Sequence, residues 1–198
     1  QHRKALPYSE VAACIDTVKA SGAGLTTKLA FEFIVLTACR SGEARLATWS
    51  EFDLAAKEWL VPASRMKAKR DHRVPLSGRV LEILTDAKSL SDGGDLVFAG
   101  TKQGRPLSDM TLSKLVKELG FEADVHGFRT SFKTWAQERT NFAREVSEMA
   151  LAHVIQNKAE AAYARSDLLD KRRMMMESWA GFLSIEIFES STIRPFKK

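Results

Sequence analysis

Tyrosine is scarce in this chain, and of the two copies, Tyr8 and Tyr163, the second sits oddly. It lies in Lys158-Ala159-Glu160-Ala161-Ala162-Tyr163-Ala164-Arg165, a run of small residues that gives a large ring little aliphatic company. A phenol there could act as a nucleophile, and it equally fits an ordinary half-buried surface ring. Two histidine segments precede it. In His126-Gly127-Phe128-Arg129 the His and Arg are three apart, on one face if helical. Leu151-Ala152-His153 follows an apolar helical stretch. Each has a plain structural reading: a capping His, a solvated Arg, a His at a helix end. Arg40 closes an apolar helix and leads into Ser41-Gly42-Glu43, where pairing with Glu43 is the ordinary outcome. The stretch from Arg65 to Arg73, with Lys67, Lys69 and Arg70 inside it, reads as a hairpin tip whose default is a solvated charge run. Rival chemistries lack their patterns. No His-x-x-x-His or Cys-x-x-Cys provides zinc ligands, no Gly-x-Ser-x-Gly turn supports serine hydrolysis, and no Gly-x-x-x-x-Gly-Lys loop cradles a nucleotide.

Taken in order, Arg40 with Ser-Gly-Glu, Lys67 before Val74-Pro75-Leu76, His126-x-x-Arg129, Leu-Ala-His153 and Tyr163 resemble the tyrosine recombinase (phage integrase) family. The resemblance is strongest to integrases of phages and genomic islands and covers roughly residues 5–183. No single motif is specific; five in sequence are. The resemblance makes Arg40 and Arg129 the arginine pair, Glu43 the acidic residue supporting them, Lys67 the hairpin lysine, His126 and His153 the two histidine positions, and Tyr163 the nucleophile. Many family members carry Leu-Gly-His where this chain has Leu-Ala-His, and Lys69 and Arg70 crowd the hairpin beside Lys67.

The chemistry implied by that resemblance suits these residue types. Moving a phosphodiester between two oxygens concentrates negative charge on the non-bridging oxygens. Two guanidiniums can hold these with bidentate, charge-assisted hydrogen bonds, with His153 as a further donor. A phenol, with a free pKa of about 10, can attack phosphorus and later leave. His126 is the expected base for its proton, and Lys67 the expected acid for the departing 5′-oxygen. The product would be a 3′-phosphotyrosyl linkage. Because the bond energy is kept, no ATP is needed, and the resemblance implies no metal or other cofactor. A non-catalytic DNA-binding relative and a type IB topoisomerase remain as alternatives.

The elements that must position these residues are mostly helical. Helices are expected at 9–20 with Ser9 as N-cap, 26–38, a short one capped by Ser41, and then 77–88, 108–119, 127–139, 143–151, 157–164 and 168–182. Phe52–Leu54, Trp59–Val61 and Arg73–Leu76 predict a small antiparallel sheet, with Pro62 and Pro75 at strand ends. Ile185 and Ile187 alternate with polar residues as in a short strand. The fold class is therefore mainly α with a small antiparallel sheet, an α+β domain, and the resemblance implies the recombinase catalytic fold.

Composition sets the outer bounds. The chain has 198 residues, 44% hydrophobic and 28% charged, which suits one core better than two. Cys14 and Cys39, both in apolar helical patterns, read as buried reduced thiols. No run approaches the roughly 18 apolar residues of a membrane span. A net charge of +5 is compatible with nucleic acid without demonstrating it. Residues 1–183 are expected to form the catalytic domain and 184–198 a tail that docks on a neighbouring subunit. The resemblance implies N-terminal DNA-binding domains outside this chain, double-stranded DNA as partner, a tetramer on DNA when full length, no membrane, and a bacterial cytoplasm as the setting. Lys69, Arg70 and Arg73, with Lys133 and Lys171-Arg172-Arg173, are the basic residues expected to follow phosphates.

Overall fold

The computed structural model describes residues 4–91, 93–102, 104–153 and 167–192, with residues 185–192 as backbone alone. Tyr163 and the expected helix at 157–164 fall outside the described residues. A 3-10 turn at Tyr8–Glu10 leads into α1 (Val11–Ala20), so Ser9 lies within that turn and caps no helix. The central helix is α2 (Leu25–Thr37), followed by the short α3 (Ser41–Arg45). A three-stranded antiparallel meander comes next: β1 (Phe52–Asp53), β2 (Glu58–Val61) and β3 (His72–Pro75), with Trp59 opposite Val74 and Val61 opposite His72. Four helices follow: α4 (Gly78–Ser89), α5 (Asp109–Glu118, capped by the Ser108 hydroxyl), α6 (Gly127–Arg139) and α7 (Arg144–Ala150). The last element, α8 (Leu169–Thr192), is helical through the stretch expected to be a strand, with no break at 183/184.

The apolar character of α2 on nearly all sides has a direct structural cause. It packs on α1, α4 and α8, and residues Leu29 to Thr37 are all buried. Phe33 turns toward the sheet, with its ring 5.3 Å from Trp59 and 5.2 Å from Phe98. Phe31 turns the other way and meets Phe128 of α6 edge-on at 5.3 Å. From α8, Trp179 donates its indole N–H to the Val35 carbonyl at 3.0 Å and packs against Trp135 at 4.9 Å. Burial of these rings is the main stabilising term and locks α6 and α8 against α2. The one carboxylate in this helix, Glu32, is buried and answered by Arg79 and Lys19, both at 2.8 Å. Cys14 and Cys39 are buried free thiols. Among the described residues no helix is long and apolar enough to cross a membrane.

Candidate active site

The first site residue follows directly from how α2 ends. Ala38 closes the helix in the left-handed region, at φ 49°, which turns the chain so that Arg40 becomes the N-cap of α3. Ser41, expected as the cap, is the first helical residue instead. Glu43 does the capping: its Oε2 accepts the Arg40 backbone N–H at 2.8 Å, and its Oε1 accepts from Arg40 Nη1 at 2.7 Å. Glu43 is buried, while the Arg40 side chain keeps 26% of its exposure. The ordinary ion pair is therefore present, and it leaves Arg40 with donors still facing outward.

Arg129 joins the distant segments. It lies one turn into α6, whose N-cap is His126, and it is buried. Its Nη1 donates to the carbonyl of Ala38, and its Nη2 donates to the carbonyl of Leu151 at 2.6 Å. Ala38 stands two residues before Arg40, and Leu151 two before His153. One guanidinium thus ties the Arg40 turn to the His153 turn. Burial and the neighbouring positive charge of Arg40 push the Arg129 pKa down to about 10, partly offset by Glu43. Two cations and one carboxylate thus meet in a partly dry setting, a charge balance that favours an anion. The Cys39 thiol beside them is no rival nucleophile, because burial, with Glu43 adding to it, pushes its pKa up to about 12.

Gly127 lets α6 start where it does. A Cβ there would lie 2.1 Å from the Lys4 carbonyl oxygen, so the N-terminal segment passes directly over the helix start. That segment is pinned by the Asp124 N–H to Lys4 at 3.0 Å and by the Ser131 hydroxyl to the Leu6 carbonyl at 2.5 Å.

His153 sits just past α7. The helix ends in a Schellman turn: Ala152 takes φ 50°, its N–H donates to Met149 at 3.0 Å, and the His153 N–H donates to Glu148 at 2.9 Å. This backbone requirement explains why glycine serves well at this position and what alanine costs there. The His153 Nδ1 lies 2.6 Å from Glu148 Oε2.

The hairpin between β2 and β3 is tethered from beneath. Met66 is buried, Arg65 donates to the Glu43 carbonyl at 2.9 Å, and its other terminal nitrogen pairs with Glu51. Glu51 in turn accepts the Trp59 indole N–H at 2.8 Å. Lys67, Lys69 and Arg70 are exposed on this tethered loop. Arg73 is held internally: it grips Asp167 through Nε at 2.9 Å and Nη2 at 3.2 Å, and reaches Glu58 at 3.4 Å. Arg172, expected along a phosphate track, is instead buried at 1% exposure, bonded to the carbonyls of Asp167 and Arg73 at 2.7 and 2.5 Å. Lys133 is likewise engaged, with Glu148 at 2.7 Å. Carboxylates and carbonyls of the chain itself thus engage Arg73, Lys133 and Arg172, which sequence reading assigned to phosphates.

His72 was missed as a neighbour of this site. Burial together with the charge of Arg172 pushes its pKa down to about 4, and Glu43, Arg129 and the Ala150 backbone also act on it. It is therefore a neutral imidazole between the hairpin and the end of α7. Strand alternation carried the clue, since His72, Val74 and Leu76 share a face and the last two are buried. Among the described residues no three His, Cys, Asp or Glu converge as metal ligands.

Known proteins resemble this chain in both sequence and fold. The family model described as "Phage integrase family" matches residues 4–168. The prophage integrase IntA of Escherichia coli (strain K12) is 40% identical over 169 residues, covering 84% of this chain and 41% of that protein. The integrase of Enterobacteria phage P4 is 31% identical over 203 residues, covering 93% and 46%. The chain thus spans about half, or less, of these relatives' length. Among solved structures, the integrase of mycobacterium phage Brujita gives a TM-score of 0.64 at 19% identity, covering 89% of this chain and 59% of that one. The lambda integrase catalytic core gives 0.57 at 19% identity, covering 79% and 95%. These structures establish the shared fold: mainly helical, with a small antiparallel sheet. With the match extending from Lys4 to Leu168, this chain belongs to the phage integrase family, the tyrosine recombinases.

Proposed function

We propose that this chain is the catalytic domain of a site-specific DNA recombinase that cuts and rejoins strands through a phosphotyrosyl intermediate. The observation that supports the reading is the double grip of Arg129 on the Ala38 and Leu151 carbonyls, which ties the turn carrying Arg40 to the turn carrying His153. Arg40 and Arg129 hold the non-bridging oxygens of a DNA phosphate. The Tyr163 oxygen attacks phosphorus, its proton passes to His126, and the bond from phosphorus to the 5′-oxygen breaks. Lys67, on its tethered hairpin, protonates that oxygen. A 5′-hydroxyl of a second duplex reverses the step and completes the exchange. The bond count is conserved, so the exchange needs no ATP, and the family resemblance implies no metal.

The partners follow from the same reading. The substrate is double-stranded DNA, approached on the face carrying Lys67, Lys69 and Arg70. Solved relatives include a lambda integrase tetramer bound to a Holliday junction, with a TM-score of 0.59 to this chain. A tetramer on DNA is accordingly the assembly proposed for the full-length protein, with residues 184–198 engaging a neighbouring subunit.

The test is a nicked suicide duplex carrying the attachment sequence, which traps cleaved DNA on the protein. Wild-type protein should form a covalent adduct and Tyr163→Phe none; an adduct that persists in the Phe variant refutes the assignment. On a duplex with sulfur at the 5′-bridging position, Lys67→Ala should regain cleavage, and failure to do so removes Lys67 from the acid role.

A further inference from the structure

We propose that Glu148 is a positioning residue for this reaction, holding the His153 ring by Nδ1 so that Nε2 is presented to the phosphate gripped by Arg40 and Arg129. The inference rests on the reading of the site given above. Glu148 belongs to α7 and touches His153 twice. Its backbone carbonyl accepts the His153 N–H at 2.9 Å, and its carboxylate meets Nδ1 at 2.6 Å. The left-handed Ala152 makes this double contact feasible by folding the chain back over the last helical turn.

Glu148 is itself held. Its Oε1 lies 2.7 Å from Lys133 Nζ and 3.6 Å from Arg144 Nε, and its side chain is only 15% exposed. Lys133 stands four residues after Arg129 on α6, on the same helical face. One helix therefore supplies both the guanidinium of the clamp and the ammonium that fixes Glu148. Burial works against the Glu148 charge, but Lys133 and His153 outweigh it and hold the carboxyl below its ordinary range.

The consequence for His153 is chemical. An ionised carboxylate can only accept, so the proton on Nδ1 belongs to the ring, and Nε2 is the nitrogen left to face a ligand. A phosphate oxygen approaching Nε2 calls for a second proton there, and Glu148 offsets the imidazolium charge that results. This is the role a buried carboxylate plays behind a functional histidine elsewhere.

The test is a double-mutant cycle on the rate of covalent adduct formation. It uses the full-length protein and a nicked suicide duplex built from the junction of the element with its host DNA. Glu148→Ala should slow adduct formation by about 10- to 100-fold, the usual range for partners that orient a functional histidine. In a His153→Ala background, where Glu148 has no ring to hold, the same change should alter the rate by less than about 3-fold. Glu148→Gln, nearly isosteric, runs the same cycle if the Ala variant folds poorly. Equal losses in both backgrounds would mean Glu148 only supports the fold, and no loss with His153 present would mean it does nothing for the ring; either result overturns the inference. If wild-type protein forms no adduct, or Tyr163→Phe still forms one, the reading of the site fails instead.

Discussion

Replacing Arg129 by lysine keeps the charge and removes the fork, so it separates the two jobs given to this residue. The structure assigns Arg129 two hydrogen bonds to the carbonyls of Ala38 and Leu151, at 5% exposure. An ammonium cannot span both carbonyls with the geometry of a planar guanidinium, and it resists dehydration more strongly. At least one buried carbonyl then loses its partner, at about 1–3 kcal/mol, and burial of the harder ion adds to this. A loss of roughly 2–4 kcal/mol is expected, which for a chain of this length lowers Tm by about 5–12 °C. Cleavage, measured as adduct formation well below the variant's Tm, should fall by about 100-fold or more, because a fixed donor to the phosphate oxygens is displaced. Arg172→Lys is the control. Arg172 is also a buried fork on backbone carbonyls, outside the proposed clamp. It should cost comparable stability with a much smaller loss of rate. An Arg129→Lys protein that melts within about 2 °C of wild type and cleaves at a near-normal rate would refute the bridging role argued from the geometry.

Other predictions are smaller in scope. Ala152→Gly should raise stability by roughly 0.5–1 kcal/mol, since a left-handed alanine costs about 1–2 kcal/mol and glycine gives part of that back through its freer unfolded chain; urea titration measures it, and a destabilised variant would contradict the Schellman turn. Gly127→Ala should cost about 2–4 kcal/mol, because its Cβ would strike the Lys4 carbonyl at 2.1 Å; truncating residues 1–5 should make the same change far milder. Burial raises the Glu32 carboxyl, but Arg79 and Lys19 outweigh it and leave its pKa below the ordinary range. The stability this gives is therefore present above the unfolded-state pKa of about 4.3 and lost as pH falls through the lower folded value. Glu32→Gln should cost about 2 kcal/mol at pH 7, discounted for the partly exposed Arg79 and Lys19, and much less near pH 3; an equal cost at both pH values would contradict the ion-pair account.

Much of this fold was legible because its markers are local. The apolar periodicity of residues 26–38 gave α2, the alternation around Trp59 and Val74 gave the sheet, and Gly and Pro marked the links. The candidate site residues stood out by their order along the chain, and Arg40, Glu43, His126, Arg129 and His153 lie on segments that Arg129 draws together. What the sequence hid is what depends on contacts between distant segments. Arg172 looks like a surface charge until Asp167 and the Arg73 carbonyl are seen around it. His72 looked like part of a solvated basic run, although its two-residue spacing from Val74 pointed inward. Glu148 lies five residues before His153, a spacing with no simple helical meaning until the Ala152 turn folds it back. The strand expected at Ile185 and Ile187 weighed one short alternation over the Phe182, Ile185, Phe188 spacing that suits the helix running to Thr192.

The most direct test of the central claim is to digest the trapped protein–DNA adduct with trypsin and locate the linkage by mass spectrometry. The nucleotide remnant should be carried on Tyr163, in the peptide Ala159–Arg165. A remnant on Tyr8, on a serine or on any other residue would contradict it.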